Sequence, residues 1–402
     1  MQKLVDTFKL HKYQVNPEGG MIYVDHKVEK WLDSFKKNGH SGKSHVEIDL
    51  YRRITKSGIE DDQDVLPPKS LPSITLVLVT YNSEFWMENL NKMFSNLGDW
   101  LYEIVVVDNG SIDSCVEKLI PNEKISIIKN EIPKSYAAAV NQGCRMATGD
   151  LFLIINPDVV ITRSALFSLI NFYLDHPDAG AIVPKLLLLR SPGFINGVGN
   201  IVPFFRWGYD LGLGHLDVGQ FDDMFEVPSA CFASVLIPKD KWISVGELDE
   251  GYPMYYEDSD WSIRAKAAGY KIFLCIKSHA YHGYQGYGFE DISSKKLMNV
   301  TYGRLRYSKK NFKSSAEIYL LLSYLIFDII YVIYSVLFHF NFANSNSIFQ
   351  GWKLFLSRSK SIKKSVVFPI FHHNRKKSGF KPRIKTGIPK LTWNMLSFSN
   401  KP

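Results

Sequence analysis

The chain has 402 residues, enough for two or three domains and a sizeable core, and its 46% hydrophobic and 14% aromatic content excludes a disordered or collagen-like polymer. The formal charge of +8 is uneven: no Asp or Glu follows Asp328, whereas thirteen Lys and Arg lie between positions 353 and 401, which leaves about −5 for residues 1–350. A slightly acidic body therefore carries a basic tail, and the average charge is no argument for nucleic-acid binding by the body. Cys115, Cys144, Cys231 and Cys275 show no metal or redox spacing. They read as thiols of a reducing compartment, Cys115 exposed and the others buried. Residues 1–15 hold no apolar run of signal-peptide length, which argues against secretion by that route.

Residues 1–72 lack a long period and end in an acidic, then proline-rich stretch, an N-terminal extension and linker. From Ser73 strands and helices alternate. Residues 74–80 are a continuous apolar, β-branched run, and 83–97 have helical spacing with Ser83 as N-cap. A strand at 103–107 ends at Asp108-Asn109-Gly110-Ser111, and another covers 125–128. An Ala-rich helix at 135–147 precedes a strand at 151–155, which ends at Asn156-Pro157-Asp158. The alternation predicts an α/β domain with a largely parallel sheet. Ligands of such sheets bind beyond the carboxyl ends of the strands, so Thr80-Tyr81-Asn82, Asp108 and Asn156-Pro157-Asp158 should converge on one crevice. Residues 190–227, rich in Gly, Asp and aromatics, read as a long functional loop. A strand at 231–237, a helix at 257–268 stopped by Gly269 and a strand at 271–276 follow, then a Gly/Tyr-rich loop with His279 and His282.

Carboxylates at strand ends suit Mg²⁺ or Mn²⁺ bridging phosphate oxygens. No P-loop occurs, and no GxGxxG follows the first strand, which argues against ATPase and dinucleotide readings. The ordered set is Val79-Thr80-Tyr81-Asn82, Val107 to Ser111 with Asp113, AAAVNQG over 137–143, Asn156-Pro157-Asp158, Tyr256 to Trp261 with Arg264, and His282. This set resembles family-2 glycosyltransferases of the GT-A fold, over about residues 73–312. RWGYDLGLGHLDVGQFD at 206–222 is further similar to bacterial rhamnosyltransferases that build O-antigen or cell-wall glycans.

The resemblance implies a Rossmann-like, mostly parallel GT-A domain over 73–295 and a C-terminal helical region over 296–402. It implies that Thr80, Tyr81, Asn82, Asp108, Asn109, Asn141 and Asn156 bind the nucleotide sugar. Asp158 and His282 would hold a divalent cation, Mg²⁺ or Mn²⁺, against the donor diphosphate. Asp258 matches the catalytic base, with Glu257, Asp260, Trp261 and Arg264 supporting it or the acceptor. A salt bridge is expected from Asp260 to Arg264 at i+4. The 190–220 loop would be an acceptor-side lid, and Tyr281, Tyr284 and Tyr287 are acceptor contacts or loop packing. The donor implied is dTDP-rhamnose, with galactofuranose, N-acetylglucosamine or glucose as alternatives on the same scaffold. A non-catalytic membrane scaffold is the reading from another class. Asn156 stands where the family's metal motif has its first acid, and Phe232 where it has a small glycine. No QxxRW follows the Glu-Asp pair, which disfavours a processive synthase.

Residues 318–338 are apolar with one charge, Asp328, and are long enough to span a bilayer. Tyr324, Asp328, Tyr331, Ser335 and His339 recur at i+3/i+4 as one polar stripe. That predicts a helix lying in a membrane interface or packed against the body, or a core helix of a C-terminal bundle, rather than a lone span. With the basic tail it points to the inner face of the plasma membrane, a lipid-linked glycan acceptor and no nucleic acid. Phe368, Phe371, Trp393 and Phe398 interleave with the tail's charges as a stacking surface would, yet no nucleic-acid motif accompanies them.

Overall fold

The computed structural model describes residues 64–284 except 216 and 218, residues 293–365, and Lys37, Ile59, Asp61 and Asp62. Most of the N-terminal extension, Tyr287 and the aromatic tail residues lie outside these.

The core is a nine-stranded mixed sheet. Its strands are β1 (Ile74–Thr80), β2 (Glu103–Asp108), β3 (Ile125–Lys129), β4 (Leu151–Ile155), β5 (Val159–Ile161), β6 (Ala179–Leu188), β7 (Ser191–Gly197), β10 (Ser234–Pro238) and β11 (Lys271–His282). A separate two-stranded hairpin joins β8 (Asn200–Ile201) to β9 (Tyr209–Asp210). The order is β3-β2-β1-β4-β10-β6-β11-β5, with β7 on β6. Pairing is parallel from β3 to β4 and between β6 and β11, while β10 runs antiparallel to both neighbours. Strand β1 is apolar throughout because both its faces are covered: Ile74, Leu76 and Leu78 enter one core, Val77 and Val79 the other.

Helices α1 (Met87–Leu97), α2 (Tyr136–Met146) and α3 (Arg163–Asp175) cover the sheet. Ser135 caps α2, its Oγ accepting from Ala138 N at 3.2 Å, and Thr162 caps α3 in the same way at 3.2 Å. Gly143 lets α2 approach the sheet, since a Cβ there would lie 3.2 Å from Val107 Cγ2. Ser83 is not the cap that its position suggests. Its Oγ turns back to Tyr81, and Asp113 accepts from Glu84 N at 2.8 Å instead.

Two helices flank the second half of the sheet, α4 (Lys239–Val245) and α5 (Glu257–Ala267). Three more form the C-terminal unit, α6 (Ser294–Asn311), α7 (Ser314–His339) and α8 (Phe342–Arg358). Asp249 receives Arg306 and Lys310 at 2.8 Å each, which ties α6 to the loop before α5. Asp328 of α7 pairs with fully buried Arg304 of α6 and accepts from Trp352 Nε1 of α8 at 2.7 Å.

Three expectations change. Residues 190–227 are not one loop, because β7, β8 and β9 lie within them. His279 and His282 belong to β11, which continues past the bulge after Cys275. Cys115 is fully buried, and Cys231 is the half-buried cysteine. The polar stripe of α7 faces inward: Tyr324, Asp328 and Ser335 are 1–3% exposed because their polar groups find partners on α6, α8 and neighbouring loops.

Candidate active site

The carboxyl ends of β1, β2 and β4 lie side by side, as Thr80 pairs with Asp108 and Leu78 with Ile155. At this edge Tyr81 is 53% exposed, whereas Thr80 is buried. Asn82 adopts φ +49° and spends its polar groups on the β2 loop: its N–H donates to Ser111 Oγ (3.0 Å) and its Oδ1 accepts from Ile112 N (2.9 Å). Asp108 accepts from Ser111 N at 3.1 Å. Asn109 is tied at both ends of its amide to the Lys134 backbone, at 3.0 Å each. These residues are tied into the strand-end loops, and Tyr81 is the most exposed hydrophobic side chain among them.

Asn141 is not at the crevice. It is fully buried, and its amide holds the 248–250 loop: Nδ2 donates to Leu248 O and Glu250 Oε1, and Oδ1 accepts from Leu248 N, all at 3.0 Å. Asp260, Trp261 and Arg264 also sit behind the site. Fully buried Asp260 gathers Arg264 Nε (3.0 Å), Lys310 Nζ (2.8 Å) and Asn311 Nδ2 (2.9 Å). Trp261 donates to Gly246 O at 2.9 Å, and Arg264 holds the carbonyls of Val245 and Glu247. The expected Asp260–Arg264 bridge is present, but these side chains brace α5 and do not face an acceptor.

The second half brings the reactive groups together. Asn156 Oδ1 lies 2.9 Å from Tyr136 Oη, which also reaches the Phe232 carbonyl at 3.0 Å. The next turn carries Asp158, and the register Val159↔His282 sets it beside β11. His282 Nε2 is 3.2 Å from Asp158 Oδ2, and its Nδ1 is 2.8 Å from Asn196 Oδ1. When Nδ1–H is given to Asn196, Nε2 turns a lone pair toward a carboxylate. A proton on Nε2 or a shared cation would each make that contact favourable. One carboxylate and one imidazole fit a divalent ion whose other positions are taken by phosphate oxygens and water. No group of three or more acidic, His or Cys side chains fit for a metal occurs among the described residues, so a substrate diphosphate would have to complete the shell.

Tyr255 and Tyr256 both adopt left-handed backbone, φ +71° and +73°, immediately before α5. Such strain is held only where packing over-determines it. Here the Tyr256 ring is pinned between Gly208, whose N–H donates to its Oη at 2.6 Å, and Gly303, where a Cβ would lie 2.7 Å from the ring. Half-buried Asp258 accepts from Asn200 Nδ2 at 2.6 Å and from Ser259 N at 2.6 Å. Burial raises its pKa; the Ser259 N–H opposes this and the charge of Asp210 adds to it. Buried Glu257 is raised as well, by burial and then by Asp258, and its Oε2 has no partner among the described residues. Both carboxyls are therefore shifted upward.

Asn196, Asn200 and Asp210 were not singled out from the sequence. Asp210 pairs with Asn200 in the hairpin. Burial raises its pKa, opposed by His282 and Lys296, and Asp210 in turn adds to the upward shift of Asp258. Only the RWGYDLG stretch marked its neighbourhood.

Residues 75–187 match the model described as Glycosyl transferase family 2. They are a family-2 glycosyltransferase domain. The chain is 24% identical over 216 residues to the low-salt glycan biosynthesis hexosyltransferase Agl10 of Haloferax volcanii, covering 53% of this chain and 67% of that one. It is 25% identical over 205 residues to the dTDP-rhamnosyl transferase RfbF of Shigella flexneri, covering 50% and 66%. The structure of GalNAc-T7 with UDP, GalNAc and Mn²⁺ superposes with a TM-score of 0.50 at 14% identity, over 76% of this chain and 59% of that one. The fold is GT-A. The family-2 match ends at Leu187, so the hairpin and Asp258 lie beyond the matched residues.

Proposed function

We propose that this protein is an inverting glycosyltransferase that moves a sugar from a nucleoside diphosphate to a glycan hydroxyl. The observations that carry this reading are geometric: half-buried Asp258 is held by Asn200 of the β8–β9 hairpin at 2.6 Å, and Asp158 lies 3.2 Å from His282 at the end of β11. Asp258 takes the proton of the acceptor hydroxyl as its oxygen attacks the anomeric carbon. The nucleoside diphosphate leaves from the opposite face with both bonding electrons, so the configuration inverts and no second nucleophile is needed. A raised pKa suits a base working near neutral pH. Asp158 and His282 would hold the divalent ion, which neutralises charge on the departing diphosphate. Tyr81 and Asp108 line the nucleotide side.

For the donor we favour dTDP-rhamnose. The RWGYDLG stretch and the similarity to a dTDP-rhamnosyl transferase support it. The similarity to a hexosyltransferase keeps other sugars as the second reading. The acceptor is a lipid-linked or cell-surface glycan met at the cytoplasmic face of the membrane, supported by the apolar α7 and the basic tail. A mass-detected screen of dTDP-rhamnose, UDP-galactofuranose, UDP-N-acetylglucosamine and UDP-glucose with Mn²⁺ tests the donor. Thermal stabilisation by uridine donors alone would overturn the rhamnose assignment.

A further inference from the structure

Helix α7 has two unlike sides. Its polar stripe is buried against α6 and α8, while Ile318, Leu322, Ile326, Ile329, Ile333 and Leu337 are 50–63% exposed. An apolar surface of this extent marks an interaction site on a folded protein. The patch continues onto the loop between β8 and β9, where Phe204 and Phe205 are 49% and 58% exposed. Ser323 Oγ donates to the Phe204 carbonyl at 2.7 Å and Tyr324 Oη to the Pro203 carbonyl at 3.1 Å, so this loop rests on α7. Trp207 stands edge-on to Phe327 and Tyr331 of α7, with ring centroids 5.1 and 4.7 Å away.

The same loop reaches the catalytic helix from its other end. Gly208 bonds Tyr256, and Asn200 bonds Asp258. One stretch of chain, 200–210, thus joins the apolar patch to the base.

We infer that α7, Phe204 and Phe205 seat on the headgroup–acyl boundary of an anionic lipid bilayer, and that the 200–210 hairpin couples this seating to Asp258. The inference rests on the reading of a lipid-side acceptor. Charge selects the occupant. Lys353, Arg358, Lys360 and Lys363 are exposed on and just after α8, beside α7, and no acid follows Asp328 in the chain. Anionic headgroups complement that rim, whereas a second copy would set like charges against each other. The helix lies along the surface rather than across the bilayer, because Arg304–Asp328 and Trp352 bind its inner side to α6 and α8.

The test uses the full chain with vesicles of phosphatidylcholine alone or mixed with phosphatidylglycerol. It reads flotation, and Mn²⁺-dependent hydrolysis of the sugar nucleotide. The chain should float with the anionic vesicles, and hydrolysis should rise about tenfold, within the usual range for coupled sites. Ile326→Glu/Ile333→Glu should lose flotation and stimulation but keep basal hydrolysis. Trp207→Ala should float and lose the stimulation. A double variant that floats like the parent overturns the docking surface, and a Trp207→Ala variant that is fully stimulated overturns the coupling. A dimer in vesicle-free solution that Ile326→Glu/Ile333→Glu splits would assign the face to self-association and sink the bilayer reading. Flotation without hydrolysis of any sugar nucleotide would refute the enzymatic reading and leave the docking surface standing.

Discussion

The two halves of the sheet treat their polar groups differently. Along β3-β2-β1-β4, asparagines of the strand-end loops and of α2 are consumed in structure: Asn82 ties down the β2 loop, Asn109 the 134 backbone, and Asn141 the 248–250 loop. Past β4, polar groups are left over. Glu257 Oε2, Asn196 Nδ2 and Asn200 Oδ1 are buried without a partner among the described residues, against Thr80 Oγ1 at the strand ends of the first half, and two bulky residues, Tyr255 and Tyr256, hold left-handed backbone where the first half has Asn82, which tolerates it. A satisfied half is a rigid wall for a ligand to rest on. The half with more unmet hydrogen bonds and bulky left-handed residues is the one we propose for chemistry, because a substrate could satisfy what the protein does not.

This contrast can be broken from either side. The largest effect is expected from Asp258→Asn, which should lower kcat by about 10²–10⁴, the usual worth of a general base, with unchanged melting and nucleotide affinity. A variant that still turns over would move the base elsewhere. Because Asp258 is raised by burial, the parent enzyme should lose activity as pH falls through a value above the ordinary carboxylate range, with a slope of one proton. An acid limb near pH 4 would contradict that. Asn196→Ala removes the partner of His282 and should weaken Mn²⁺ dependence about 10–100-fold, read as a shift in the metal concentration for half-maximal rate. In the satisfied half, Asn141→Ala should cost about 1–3 kcal/mol of stability in a denaturant melt while kcat per folded molecule stays within a few-fold. A large kcat loss there would erase the distinction between the halves.

The pH dependence of stability sharpens the same contrast. Glu257 has a folded pKa raised above its unfolded value. Its burial is tolerated while protonated, so stability is greatest below the unfolded pKa and declines as pH rises through the folded one. Glu257→Gln should flatten that decline in melts taken from pH 5 to 9. A decline of unchanged slope would place the titration on another group.

The elements of the first half were legible because buried parallel strands need continuous apolar runs, and 74–80, 103–107 and 151–155 supply them. Asp158, Asp258 and His282 were legible as candidates through the family resemblance that the motif order carries. The hairpin was not, since two-residue strands carry no period, and Asn200 and Asp210 lie far in sequence from the groups they face. Asn141 and Asp260 show the reverse: a motif marks the position, but whether a side chain meets substrate or a neighbouring loop depends on what packs against it.

Composition by itself determined the acidic body with its basic tail, strand–helix alternation the α/β class, and the family resemblance carried by the motif order implied the GT-A fold and the candidate carboxylates. Only the tertiary structure decided which side of α7 is polar inside and apolar outside. Helical spacing reveals a stripe but not its direction; Arg304 and Trp352, brought in from other helices, are what draw Asp328 inward. The same holds for Asp258, whose raised pKa follows from burial and Asp210, 48 positions away in the chain.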